Sequence, residues 1–446
     1  MLTALKLYLR KIFFPSVYTG GLLLSLYSII GDAWWGFLLL IALIPQPNIW
    51  HKFYSLPMGK DFMDILYLAI LLGILVQRKR IPLTSSGIVI IFFLFITYVS
   101  LWTSSMNFCL PHPVSTASFQ LMEWKNFAQM ITIYFITLAL AKEEKHQKQL
   151  FILMSCVIFF MALRNYRNFS GGSAFRYDKR VGGPFFFVGL GATHYGAFMA
   201  HYPIACLGMS FFEKNLTKKL LFIGTFAISL HPLFFSYSRG AYIAVAMVLV
   251  LYGLFKKPTI LVALVSLYFV WQTVLPPSVV DRISGSVTAS GELEGSASTR
   301  LHIWKQAERI ITSHPIMGVG WEGYGFSIPK ADRIHGLTDT HNYYIKTLCD
   351  RGVIGLIILV TVFGKAFHSG FLLFLSGKNQ FRRGLGLSFM GTVLACIITN
   401  FFGDRFTYFV LGSYFWMLWG LVDRCLLTTR RQGEVYVQAN VSRKFY

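Results

Sequence analysis

Three residues in this chain combine reactive chemistry with a costly placement. Arg239 lies in Ser236-Tyr-Ser-Arg-Gly240, a turn with almost no loop between two apolar stretches. A guanidinium at or near membrane depth faces a cavity or an anion, or it snorkels to the interface. Position alone leaves these two readings equally open. Arg300 follows Ser298-Thr299, which reads as an N-cap for a helix over about 300–312. Ile303, Trp304, Ala307, Ile310 and Ile311 give that helix one apolar face. A cation in the first turn opposes the helix dipole, yet a guanidinium beside free N–H groups suits a phosphate oxygen. His341 stands in Asp339-Thr-His-Asn342, just before an apolar stretch that opens Tyr343-Tyr344. An imidazole at a membrane–water boundary can act as a general base, with Asp339 orienting it. Asp339 and Asn342 also favour helix starts and the tyrosines favour interfaces, so capping is the plainer reading of that cluster by itself.

Weaker candidates surround these. Arg180, in Tyr177-Asp-Lys-Arg-Val-Gly-Gly183, precedes a stretch carrying Thr193-His194 and can approach a ligand from the same side. Alone it reads as structural, as do Arg164, Arg167, Arg176 and Arg282, while His194 reads as a hydrogen-bonded interior histidine. Gly318-Val-Gly-Trp-Glu-Gly323 has the spacing of a dinucleotide fingerprint, but no βαβ pattern surrounds it. Its glycines are read as a turn that approaches a ligand or the bundle. There is no carboxylate-rich metal motif and no Gly-x-Ser-x-Gly nucleophile, so neither a metal nor a cofactor is expected. The six cysteines show no paired spacing and only Cys109 falls in an external loop, which argues against a disulfide framework.

The elements that must position these residues are membrane helices. Of 446 residues, 55% are apolar and only 13% charged, against roughly 25% charged in soluble proteins, and the mean hydropathy is +0.55. Apolar runs of about 20 residues, enough to cross a bilayer, recur along the chain. The fold class expected is an all-α polytopic membrane protein. The net charge of +22 is expected from the positive-inside rule and anion-binding arginines, not from a nucleic-acid partner. Lys6, Arg10 and Lys11 precede the first apolar run with no small-residue cleavage site, which reads as a retained span.

Residues 5–45 form one broken span or two short ones, interrupted at Gly31-Asp32. Further spans are expected at about 62–77, 86–103, 124–141, 149–165, 185–211, 219–236, 239–255, 258–275, 343–366, 384–403 and 406–427. Counting the first stretch as one crossing puts every basic loop on the cytoplasmic side. That gives twelve spans with both termini cytoplasmic. The layout is an N-terminal bundle over 1–275, a large external loop over 276–342, three spans over 343–427 and a tail over 428–446. Arg180, Arg239, Arg300 and His341 then share the outer face.

Together these pieces resemble the O-antigen ligase and polymerase superfamily of bacterial membrane glycosyltransferases. The resemblance rests on Ser238-Arg-Gly240, Arg300 with Trp304, His314-Pro-Ile-Met-Gly-Val-Gly320, His341-Asn342 and Asp350-Arg-Gly-Val-Ile-Gly355. It is strongest over 230–360. Ala192-Thr-His194 stands where the family often has a Pro-Asn pair. The resemblance implies a GT-C-like fold in the inner membrane with a periplasmic active site, among membrane lipids. The implied donor is a glycan on undecaprenyl pyrophosphate, and a ligase's acceptor is a sugar hydroxyl of lipid A–core. Arg239 and Arg300 would bind the pyrophosphate with Arg180 auxiliary, and His341 would deprotonate the acceptor for an inverting, metal-independent attack. The same implication covers an O-antigen polymerase or a protein O-oligosaccharyltransferase. A polysaccharide or lipid transporter is the non-enzymatic rival, but it predicts charges spread through several spans and on both faces.

Overall fold

In lipid every backbone N–H and C=O must be satisfied within the protein, so long apolar segments become helices. The computed structural model describes residues 2–169, 179–284, 295–332 and 339–444, and the chain is helical throughout them apart from turns and short connections. Arg176 and parts of the 166–184 and 276–342 loops lie outside the described residues. Among the described residues, seven helices are long and apolar enough to cross a membrane, or nine if two bent pairs each count as one span. Two further apolar helices, Phe62–Val76 and Arg239–Phe255, are shorter. The chain is a multi-pass membrane protein, and length alone does not reach the expected twelve crossings.

Most expected spans coincide with helices, including Ser85–Phe108, Phe119–Leu140, Glu144–Arg167 and Leu216–Phe235. The 185–211 stretch is broken into Ala192–His201 and Pro203–Ser210, since Pro203 cannot continue the preceding ladder. The Tyr343–Ser376 helix runs ten residues beyond its expected end at 366. The last helix, Phe409–Lys444, continues past residue 428. Its Phe409–Thr429 portion is the centre of the bundle, 83% buried, and Phe406 just before it meets the rings of Phe93, Tyr343, Phe363, Phe415 and Trp416.

The basic connections gather at one end. Lys79 pairs with Asp32 at 3.4 Å, Asn379 donates to Glu144 at 2.8 Å, and Arg382 donates to Thr429 at 3.0 Å. The first stretch departs from expectation. Leu2–Ile30 and Ala33–Leu43 are separate helices, because Gly31 ends the first and Asp32 caps the second by accepting from Trp34 N at 3.3 Å. Lys52 lies over the Phe14 ring at 4.9 Å and Tyr18 hydrogen-bonds Pro57, while Ser28 O accepts from Gln77 at the basic end. The Leu2–Ile30 helix therefore runs toward the basic end, and the start of the chain lies beside residues 52–57. A single crossing with both termini at the basic end does not hold.

The glycine-rich turn has a structural task. Gly352, with φ +61°, breaks the Tyr343–Ser376 helix and frees carbonyls before it and N–H groups after it. The turn supplies the missing donors: Val319 N to Cys349 O at 2.8 Å and Gly320 N to Asp350 O at 2.9 Å. Val353 N donates back to Pro315 O at 2.9 Å. Trp321 N donates to Ser100 O at 2.9 Å, and Gln120 donates to Trp321 O at 3.1 Å. The His314–Gly320 and Asp350–Gly355 motifs are thus two halves of one joint. Gly318 and Gly320 have φ of +66° and +105°, and a Cβ on either would overlap the backbone of Arg351 or Ser104. Gly320→Ala is expected to destabilise the protein by about 1–3 kcal/mol, read as a lowered thermal midpoint in detergent. Gly364→Ala, whose Cβ meets nothing within 4 Å, is the control that should leave the midpoint unchanged.

Candidate active site

The end of the bundle opposite the basic connections collects the candidate residues. His341 has φ +53°, a left-handed conformation that histidine tolerates better than most residues. It turns the chain so that Asn342 can start the next helix, its Oδ1 accepting from Tyr344 N at 2.9 Å and Ile345 N at 3.2 Å. Capping is therefore real, and it coexists with a dyad: His341 Nδ1 lies 3.3 Å from Asp339 Oδ2. Burial alone would raise the Asp339 carboxyl, but the His341 hydrogen bond and the charges of Lys346, His341 and Arg405 hold it well below the usual carboxylate range. A charged Asp339 accepting from Nδ1–H leaves Nε2 of a neutral imidazole as the basic atom. His341 is about one-third exposed, so a substrate can reach it.

Arg300 belongs to this neighbourhood, although not by the route expected. Its helix is Gly295–Ser313, so Arg300 is its sixth residue and Ser298 and Thr299 are inside it. The expected N-cap and the free N–H groups of a first turn are not there. What places Arg300 is the packed face on which it lies: Ile303, Ala307 and Ile310, at helical spacing from it, pack against Val319, Tyr324, Ile328 and Cys349. Trp304, one turn beyond Arg300, donates Nε1–H to Thr340 O at 3.0 Å, tying the helix to the residue before His341. Arg405 is within electrostatic reach of both Arg300 and Asp339.

Arg239 opens the Arg239–Phe255 helix after Tyr237, whose φ of +51° makes the tight turn. Arg180 braces that turn from outside, donating Nε–H and an Nη–H to Ser236 O at 3.0 and 2.9 Å. Arg282 donates to Tyr237 O at 3.5 Å. Arg180 and Arg282 thus build the turn that presents Arg239. The two arginine groups meet through Gly240, which packs against Phe402, three residues before Arg405. His194 stands on the Arg405 side: its ring meets Tyr408 edge-on at 5.0 Å, and Arg405, Asp339 and His341 are within electrostatic reach of it.

Several charged residues at this end were not among the candidates. Lys346 Nζ sits 2.6 Å from Glu322 Oε1 and 3.3 Å from Asp404 Oδ2. Asp404 is almost wholly buried and also accepts from Phe406 N, Thr407 N and the Thr407 hydroxyl. Arg405 follows it. The signal was in the sequence, since Gly403-Asp-Arg405 is a second charged turn between two apolar spans, like Ser238-Arg-Gly240. Glu322 shares a positive φ with Tyr237 and His341, as do Met58, Arg78 and Cys109.

Cationic arginines beside a carboxylate-oriented imidazole can hold a phosphate-bearing leaving group while a base takes a proton from a nucleophile. No curated protein matches the chain. Residues 224–360 match the family model described as O-antigen ligase, a stretch that holds Arg239, Arg300, His341 and both halves of the joint at Gly352. That match, over less than half of the chain, makes residues 224–360 similar to the O-antigen ligase superfamily.

Proposed function

We propose that the protein is an O-antigen ligase-type glycosyltransferase that moves a glycan from undecaprenyl pyrophosphate to a sugar hydroxyl of lipid A–core at the periplasmic face. The observation that carries this reading is the convergence of Arg300 and Arg405 with the Asp339–His341 pair. Arg239, presented by its own braced turn, completes the cationic side. The basic connections at the opposite end support a cytoplasmic placement for that end and a periplasmic one for the site.

The acceptor oxygen attacks the anomeric carbon, and its proton passes to His341 Nε2. The bond from that carbon to the pyrophosphate oxygen breaks on the far side, and its electron pair leaves with undecaprenyl pyrophosphate. Configuration at the anomeric carbon inverts. The arginines offset the charge that develops on the leaving oxygen, and the imidazolium returns its proton to solvent.

Deletion of the gene tests the reading. Loss of a ligase leaves long polymer on the lipid carrier and none on lipid A–core. Single repeats on the core would instead identify a polymerase, and unchanged lipopolysaccharide with an unglycosylated protein would identify a protein O-oligosaccharyltransferase.

A further inference from the structure

Beside the Asp339–His341 pair lies a cavity of about 530 Å³, within the range of ligand sites. Its wall differs chemically from the arginine side. Among the described residues, four carboxylates line it (Asp64, Glu123, Glu322 and Asp339), against the two lysines Lys60 and Lys346, and no arginine does. Aromatic faces alternate with them, among them Trp50, Tyr54, Trp321 and Tyr408. Lys346 is committed to Glu322 and Asp404, and Asp64 is held by Lys125 and Gln129. Trp321 is 3% exposed, and its Nε1–H has no hydrogen-bond partner among the described residues, nor has Asp339 Oδ1. Trp321 is fixed from behind by the Arg351 guanidinium, 5.5 Å from its ring.

Carboxylates accept from vicinal hydroxyls, indole N–H groups donate to ring or hydroxyl oxygens, and aromatic faces cover apolar C–H surfaces. A phosphate would meet repulsion here, whereas the arginine side suits it. We infer that this cavity is the acceptor subsite and that it takes a saccharide unit without anionic substituents. Asp339 joins the two halves, lining the cavity with one oxygen unpartnered while the other accepts from His341. This places the accepting hydroxyl within range of the base and leaves the pyrophosphate on the arginine side. The inference rests on the glycosyl-transfer reading and sharpens it by assigning each substrate a side.

The test uses the full-length protein in nanodiscs with two probes, core oligosaccharide with its phosphates retained and the same oligosaccharide after their chemical removal. Binding is read by saturation-transfer magnetic resonance and transfer by acceptor titration with lipid-linked donor. The dephosphorylated probe is expected to bind more tightly. Tyr54→Ala and Glu123→Gln should each raise the acceptor KM by about tenfold, the scale of one aromatic contact for Tyr54 and one charge-assisted hydrogen bond for Glu123, with the donor KM unchanged. Tyr54 is 38% exposed, so its replacement does not threaten the core. Tighter binding of the phosphorylated probe, a rise in donor KM alone, or no effect of either variant would overturn the assignment. Saccharide binding that the two variants weaken, without transfer by the wild type, would sink the transferase reading and leave the subsite standing. Normal transfer indifferent to both variants would do the reverse.

Discussion

His341→Ala is expected to lower glycan transfer by about 10²–10⁴-fold, the usual contribution of a positioned general base, while the protein still inserts and accumulates. The expectation follows from the direction of one hydrogen bond. His341 Nδ1 faces Asp339 at 3.3 Å, and Asp339 is held ionised, so Nε2 is the atom free to take a proton. Alanine also meets a backbone cost at φ +53°, of order 1–2 kcal/mol. His341→Asn separates the two effects, because asparagine tolerates the left-handed region but offers no basic nitrogen. Both variants should be inactive in a membrane assay that follows labelled lipid-linked glycan onto the acceptor, with protein amount checked by immunoblot. Asp339→Ala should cost less, since it removes the orienting partner and one cavity contact but leaves the basic nitrogen in place. Normal transfer by His341→Asn, or a larger loss at Asp339 than at His341, would move the base from the imidazole to the carboxylate.

Sequence patterns revealed what depends on local periodicity. Helices such as Leu216–Phe235 and Arg239–Phe255 are visible as apolar runs, and the apolar stripe of the Arg300 helix is visible at helical spacing. The Asp339–His341 pair could be named because a single residue, Thr340, separates its members. The N-cap at Ser298-Thr299 was misplaced because Gly295-Ser-Ala297 carries no apolar period, so nothing in the pattern announces a helix already under way. The first crossing was miscounted for a different reason. Ala33–Leu43 has 11 residues, about 16 Å at 1.5 Å per residue, less than the hydrocarbon thickness that makes hydropathy informative. The glycine-rich turn shows how one spacing serves two ends: small residues let a backbone approach pyrophosphate or, here, the open joint of a broken helix. Arg405 and Lys346 were missed because their meaning lies in partners distant in sequence. Lys346 meets Glu322 and Asp404 across separations of 24 and 58 residues, and by itself a lysine just inside an apolar run looks like an interfacial snorkeller.

Lys346→Met is expected to destabilise the protein by about 3–5 kcal/mol, the range for removing one partner of a buried ion pair. Methionine matches the lysine stem in bulk, so the effect isolates the charge. The loss falls unequally on the two carboxylates. Asp404 keeps three donors from Phe406 and Thr407, whereas Glu322 loses its ammonium partner at 2.6 Å and faces Glu123 and Asp350 nearby. Neutralising Glu322 should therefore recover part of the stability that Lys346→Met removes. In a double-mutant cycle the Lys346→Met/Glu322→Gln protein is expected to be more stable than the sum of the single changes by about 0.5–3 kcal/mol, measured by thermal or denaturant unfolding in detergent. Additive changes would mean that the ammonium is held by Asp404 alone. Recovery of stability should not restore transfer, because the double variant still lacks the two side chains that set the field on Asp339 and the cavity wall.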